Sequence, residues 1–203
     1  MLSARDATQL KAMLLSPQIS KNSNSTVKPF YSTPIVSHAP RSFALGLGGN
    51  VGDVRSNIQN SISVLQSDSR ISELRVSSLY QTPPWGDVEG GEFVNAAVSG
   101  KWTGTDLDLL YLCRSLEDEL SVPVEKNGAA RALDVDVLFL QGGVSSKELT
   151  LPHPRMSMRR FVLVPLCDVW SEKVPGFDET PAALLKRVPD SSCIIFPGSL
   201  SIV

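Results

Sequence analysis

Cysteine is scarce in this chain. The three residues, Cys113, Cys167 and Cys193, are odd in number and far apart, and no two stand in a CxxC pair. Neither a zinc site nor a disulfide frame is expected from them, and a reducing compartment is the default. Long apolar runs are missing: none approaches the ~20 residues that cross a bilayer, so no membrane partner is expected. A basic surplus is missing too. The formal net charge is −2, which removes the electrostatic footprint of a nucleic-acid-binding protein. Repeats and low-complexity tracts are absent. What remains is an ordinary globular composition, 42% hydrophobic and 20% charged over 203 residues. That length fits one domain with an extension and can bury a core without staples.

Charge divides the chain. Residues 1–41 hold five basic residues (Arg5, Lys11, Lys21, Lys28 and Arg41) and one acid, Asp6, amid many Ser, Thr, Asn and Pro. The rest carries fourteen basic and twenty acidic residues. Residues 1–41 are expected to be a disordered extension or an organelle transit peptide, for which acid depletion with abundant serine is the cue. The expected location is accordingly the cytoplasm or the mitochondrion. Residues 42–190 carry the domain and residues 191–203 a tail.

The apolar run Phe43–Leu47 ends in Gly48-Gly49-Asn50, a strand followed by a turn. Asp53 can cap a helix whose Val54, Ile58, Ile62 and Leu65 fall at helical spacing. Ile71–Gln81 is strand-like with one irregularity, and it stops at Thr82-Pro83-Pro84-Trp85-Gly86, where proline ends ladder pairing. Phe93–Trp102 is the next strand. Thr105 begins a second helix, with Asp106 and Asp108 favourable in its first turn and Leu109, Cys113, Leu116 and Leu120 as its buried stripe. Ala132–Leu140 is the last clear strand. The order is β-α-β-β-α-β, the split βαβ, ferredoxin-like arrangement. Two helices cover one face of a mainly antiparallel sheet. Loops and the C-terminal segment cover the other, or it is left as a ligand floor. This superfold hosts many activities, so function must come from the site.

The most informative stretch is Arg131-Ala132-Leu133-Asp134-Val135-Asp136-Val137-Leu138. Alternate strand residues share a face, so Asp134 and Asp136 point together while Leu133, Val135 and Val137 point away. Two carboxylates roughly 7 Å apart on one face repel each other. Either they sit on a solvated edge strand, or a hard cation relieves them. Mg²⁺ takes one or two carboxylates and completes its shell with phosphate and water. Arg131 suits a bidentate grip on phosphate. His153, between Pro152 and Pro154, can donate to phosphate or handle a proton near neutral pH, or be a plain loop histidine. Arg159 and Arg160 serve phosphate or the surface. A second constellation is aromatic and polar. Phe93 and Asn95 alternate on one strand face, close to the stiff turn at residues 82–86. A flat heterocycle needs apolar faces above and below and amide-like partners at its edge, and Asn supplies both donor and acceptor. The alternative is that Phe93 is core and Asn95 a strand-end polar residue.

These residues lie in five motifs. Leu47-Gly48-Gly49-Asn50-Val51-Gly52-Asp53 resembles the N-terminal G-S/G-N-x-G-D signature of the 6-hydroxymethyl-7,8-dihydropterin pyrophosphokinases. Ser78-Leu79-Tyr80-Gln81-Thr82-Pro83-Pro84 resembles that family's S-x-x-Y-x-T-x-P segment, and Phe93-Val94-Asn95-Ala96-Ala97-Val98 its F/Y-L-N-A-V/A-V strand. Arg131 to Asp136 is similar to its R-x-L/I-D-L-D metal motif. Pro152-His153-Pro154-Arg155-Met156 and the run Arg159 to Leu166 are similar to its P-H-P-R-M…R-x-F-V-L-x-P-L close. All five occur in the family order, from about Phe43 to Val169.

The resemblance implies transfer of pyrophosphate from ATP to the hydroxymethyl group of the dihydropterin, with release of AMP, in folate biosynthesis. It implies that Asp134 and Asp136 hold two Mg²⁺ ions between ATP and pterin. Glu117, Arg131, Val137, His153 and Arg159 would contact the nucleotide, with Arg131, Asp134, Asp136 and His153 as the catalytic set. Phe93 and Phe161 would sandwich the pterin, and Thr82, Pro83, Trp85 and Asn95 would fix its edge. ATP and hydroxymethyldihydropterin are then the partners, with fusion to or association with other folate-synthesis enzymes.

One segment departs from the family pattern. Between the second helix and the metal strand the family carries an Arg- and Lys-rich loop ending in aromatic-Gly-Pro. Here residues 121–130 contain one Lys, one Glu and no Arg, and Gly128-Ala129-Ala130 stands at the loop's end. Slow ATP capture is expected. Two rival readings follow. One is a non-catalytic member that binds pterin or nucleotide within a folate-synthesis assembly. The other, a ferredoxin-like RNA-binding or interaction module, requires a basic sheet face, which the acidic balance of residues 42–203 does not offer.

Overall fold

The computed structural model describes residues 38–84, 91–119, 130–189, 194–195 and 200. The expected extension is therefore outside the described residues over 1–37, as are Trp85 and residues 120–129 of the divergent segment.

Strand β1 (Arg41–Gly49) leads through a turn into helix α1 (Val54–Ser67). Asp53 caps that helix, its Oδ1 accepting from the Ser56 N–H at 3.0 Å, which satisfies one of the orphan donors of a first turn. Strands β2 (Ile71–Val76) and β3 (Tyr80–Thr82) follow, then β4 (Phe93–Trp102). Both β2 and β3 pair with β4, so the expected single irregular strand is one strand broken in the middle. Ser77 makes the break. Its N–H donates to Ala97 O at 2.9 Å while its Oγ accepts from the Ala97 N–H at 2.8 Å, a hydroxyl standing in for a ladder carbonyl.

Helix α2 (Asp106–Glu119) opens on a reciprocal cap, in which Thr105 Oγ1 accepts from the Asp108 N–H and Asp108 Oδ2 from the Thr105 N–H. Strand β5 (Asp134–Leu140) and a short hairpin, β6 (Val144–Ser145) with β7 (Thr150–Leu151), come next. Helices α3 (Arg160–Val169) and α4 (Pro181–Leu185) and a two-residue strand β8 (Ile194–Ile195) complete the described chain. The sheet order is β5-β1-β4-β3-β8, with β2 also on β4 and all pairings antiparallel. Strands β5, β1, β4 and the broken β2/β3 reproduce the expected ferredoxin-like core.

Strand alternation separates two cores. Phe43, Leu45, Leu47, Val98, Val135 and Val137 face α1 and α2, packing on Ile58, Ile62, Leu65, Leu109 and Leu116. Ala44, Ala97 and Leu138 face the other way and pack on Val162, Leu163, Leu166 and Val169 of α3. The C-terminal cover of the second face is thus a helix, in spite of the buried Pro165 within it. Arg41 and Asp106 close the far end with an ion pair at 2.6 Å.

Candidate active site

Asp134 and Asp136 occupy alternate positions of β5 beside the buried Leu138, so both stand on the α3 face. Gly46 and Gly48 of β1 lie opposite Asp136 and Asp134 in the ladder. On the other side of β1, Gly48 pairs with Asn95, and Asn95 with Tyr80. One row across the sheet therefore reads Asp134, Gly48, Asn95, Tyr80. Two strand spacings separate the carboxylate from the carboxamide, roughly 10 Å, with no side chain between them. Glycine is needed at the middle of that row: a Cβ at Gly48 would run into Asn95 Oδ1.

The polar end of the row is tightly partnered. Asn95 is 7% exposed, and its Nδ2 donates to the buried Thr82 Oγ1 at 2.8 Å. That bond directs Oδ1 toward Gly48. Tyr80 reaches across to α3, where its hydroxyl donates to the Asp168 carboxylate at 2.9 Å and the Ser78 N–H reaches the same group at 3.0 Å. Asp168 thereby ties the end of α3 to the strand that carries Thr82. Tyr80→Phe deletes one bond to a charged acceptor and is expected to cost about 1.5–3 kcal/mol. In urea unfolding the Tyr80→Phe/Asp168→Ala double variant should fall well short of the summed single losses. Strict additivity would mean that the two side chains are not coupled.

The charged end gathers the expected phosphate residues. Arg131 Nη1 lies 2.5 Å from Asp134 Oδ1. Arg159 Nη1 lies 3.3 Å from Asp136 Oδ2, and His153 Nε2 lies 3.9 Å from Asp136 Oδ1. Burial pushes the His153 imidazole below its ordinary value, with Arg159 and Arg155 adding to the effect against the pull of Asp136. That shift favours the neutral ring, and Nδ1 accepts from the Arg155 N–H at 3.2 Å, which leaves Nε2 as the donor. Glu117 approaches from α2 and accepts the Val135 N–H at 2.8 Å on the outer edge of β5. Burial pushes its carboxyl up, and Asp134 and Asp136 push it further. Among the described residues no group of three or more His, Cys, Asp or Glu makes a complete metal cage.

Phe161 stands in the first turn of α3, half-buried, with the Arg159 guanidinium 5.6 Å from its ring centroid. Phe93 opens β4, also half-buried and on the face of Asn95 and Ala97. Pro83 follows Thr82 at the end of β3 and is exposed. Val137 is different. It is 5% exposed and its side chain belongs to the core beneath α1 and α2, so a nucleotide can meet only its main chain. Asn50 of the first motif and two residues that the sequence does not single out, Asn57 and Asp168, hold this site together, the two asparagines through bonds to the main chain entering β5.

Residues 44–171 match the family model described as 7,8-dihydro-6-hydroxymethylpterin-pyrophosphokinase. A 2-amino-4-hydroxy-6-hydroxymethyldihydropteridine pyrophosphokinase of Methylorubrum extorquens is 38% identical over 146 residues, covering 71% of this chain and 92% of its own. The enzyme of the same name from Bacillus subtilis is 33% identical over 126 residues, 62% of this chain and 75% of its own. Among solved structures, the Plasmodium falciparum HPPK-DHPS triple mutant with pteroate superposes with a TM-score of 0.53 at 13% identity. It covers 75% of this chain, which spans 44% of that longer one; the likeness is one of fold.

Proposed function

This chain belongs to the 7,8-dihydro-6-hydroxymethylpterin-pyrophosphokinase family, and from that we propose how its own residues carry out the reaction. The protein is a transferase of folate biosynthesis that moves the pyrophosphoryl group of ATP onto hydroxymethyldihydropterin. The observation that carries the assignment of roles is the bare glycine between Asp134 and Asn95. A flat ring can lie on that floor with its polar edge at Asn95 and its hydroxymethyl group directed toward the aspartates. Thr82 fixes the Asn95 amide through the bond at 2.8 Å. Phe93 and Phe161 cover the ring, and Pro83 and Trp85 complete its edge.

At the other end, Arg131, His153 and Arg159 receive the phosphates, with Glu117 and the Val137 main chain on the nucleotide. His153, whose Nδ1 is taken by the Arg155 N–H, donates from Nε2 to a phosphate oxygen. Arg131 and Arg159, now resting on the aspartates, turn to the triphosphate, because guanidinium forks match phosphate oxygens. The donor set fits hard cations: two carboxylates on one face, both near 36% side-chain exposure, with phosphate and water to supply the remaining ligands. Asp134 and Asp136 would hold two Mg²⁺ ions. Bound there, the ions would neutralise charge on the phosphate oxygens as the hydroxyl attacks the β-phosphorus. The catalytic work of the chain is otherwise positioning. AMP should form from ATP only when the dihydropterin is present; equal AMP with and without it would contradict the assignment. A longer polypeptide or assembly with other folate-synthesis enzymes is a further part of this reading, prompted by the two-enzyme name of the solved relative.

The arginine-poor segment at residues 121–130 sets a limit on rate. Each missing charge-assisted bond forfeits roughly 1.5–3 kcal/mol, or about one to two factors of ten. Placing Arg at Val122 or Val124 and Trp at Gly128 should lower the ATP KM or raise kcat by about tenfold or more. If neither constant moves, this segment does not limit ATP capture.

A further inference from the structure

The turn that leaves β1 grips the chain that enters β5. The N–H groups of Asn50 and Val51 both donate to the Arg131 carbonyl, at 2.9 and 3.2 Å. The Asn50 side chain answers in the other direction, its Oδ1 accepting from the Arg131 N–H at 2.9 Å. One residue on, the Ala132 carbonyl accepts from Asn57 Nδ2 at 3.0 Å. Gly49 lies flush against the same peptides: a Cβ there would stand 2.7 Å from Ala132 O and 3.0 Å from Arg131 O. Both main-chain polar groups of Arg131 are therefore held by one short turn, with no slack on its other side. The clamped peptide sits three residues before Asp134, directly after the segment that departs from the family pattern.

We propose that Asn50 is a positioning residue for pyrophosphoryl transfer, which clamps the Arg131 main chain and so aims the Arg131 guanidinium at the ATP phosphates and fixes where β5 places Asp134 beside it. The proposal rests on the pyrophosphokinase reading and adds a residue that touches neither substrate. Its physical basis is leverage. A side chain as long as arginine multiplies any rotation of its own peptide, and a misplacement of about 1 Å in a reacting constellation can cost about 10²-fold. Three hydrogen bonds, on the two peptides that flank its Cα, hold the Arg131 main chain in place. Asn50 lies at the carboxylate end of the row, so the pterin end should not feel its loss.

Asn50→Ala tests this in the full-length chain. The expected result is a fall in kcat/KM for ATP of about 10²-fold, with the dissociation constant for the pterin alone unchanged within about twofold. Amide exchange gives a readout independent of turnover: the Arg131 amide should exchange about tenfold faster or more, while amides of β4 stay protected. Gly49→Ala, which wedges the clamp from the other side, should show the same split. Asn50→Asp keeps an acceptor in place and should recover most of the loss. Unaltered ATP constants in Asn50→Ala overturn the proposal. Equal loss of pterin binding and β4 protection also overturns it, since that marks general destabilisation. If Asn50→Ala does not fold, Asn50→Asp against the unmodified chain decides: a protected Arg131 amide with ATP KM within about threefold supports the clamp, and a tenfold rise overturns it. If the unmodified chain releases no AMP, the functional reading fails, while the exchange experiment still reports on the clamp.

Discussion

Asp134→Ala and Asp136→Ala should each reduce pyrophosphoryl transfer by about 10²–10³-fold or more, the range for removing a preorganised group that stabilises transition-state charge. The fold should survive. Both carboxylates are about one-third exposed, and neither belongs to the two cores. Each removal gives up an ion pair, with Arg131 or with Arg159, and in return relieves the repulsion that Asp134 and Asp136 add to burial at the Glu117 carboxyl. The two effects oppose each other, so stability should change by no more than about 1 kcal/mol, the range of a partly exposed ion pair. The pterin should still bind, since Asn95 lies across Gly48 on another strand. Turnover of Asp134→Ala at the unmodified rate would remove the aspartates from the chemistry. Loss of folding would mean that they are structural.

Asn95→Ala carries the second large effect, and it falls on the other substrate. The side chain is buried and its amide is already oriented by Thr82. Truncation removes the partner of the ring edge and strands the Thr82 hydroxyl. The stranded hydroxyl lowers stability, while the unpaired ring edge costs about 1–3 kcal/mol of binding, so the pterin dissociation constant should rise about 10–10²-fold. Affinity for ATP should stay within about threefold. Calorimetry with each ligand separates the two, and undiminished pterin affinity would take Asn95 out of the pocket. With the proposed roles, these two sets of variants would separate a pterin end from a phosphate end across the Gly46 and Gly48 floor.

Much of this layout is legible in the sequence because it depends on local periodicity. Alternation alone places Asp134 and Asp136 on one face and Val135 and Val137 on the other, and the structure agrees to the residue. Asp53 announces the α1 cap, and the break in the Ile71–Gln81 strand falls at Ser77. What the sequence hides depends on distant partners. The run Phe161–Leu166 contains two β-branched valines and Pro165, yet it folds as a helix because its apolar stripe finds Ala44, Ala97 and Leu138 on the uncovered sheet face. Burial outweighs propensity there. Asn50 reads as a turn residue until its Oδ1 is seen on a peptide 81 residues away. Asp168 lies outside every motif, and only its meeting with Tyr80, 88 residues earlier, gives it a role. Val137 is the converse case. The resemblance places it at the nucleotide, while alternation turns its side chain into the core.

The most direct test of the whole scheme follows phosphorus. The purified chain is incubated with Mg²⁺, hydroxymethyldihydropterin and ATP labelled at either the β- or the γ-phosphate, and the pterin product and the adenine nucleotide are separated. The expected result is both labels in the pterin product, one for one, with AMP as the nucleotide product. Only the γ-label in the pterin, with ADP released, would show attack at the terminal phosphorus and contradict pyrophosphoryl transfer at this site.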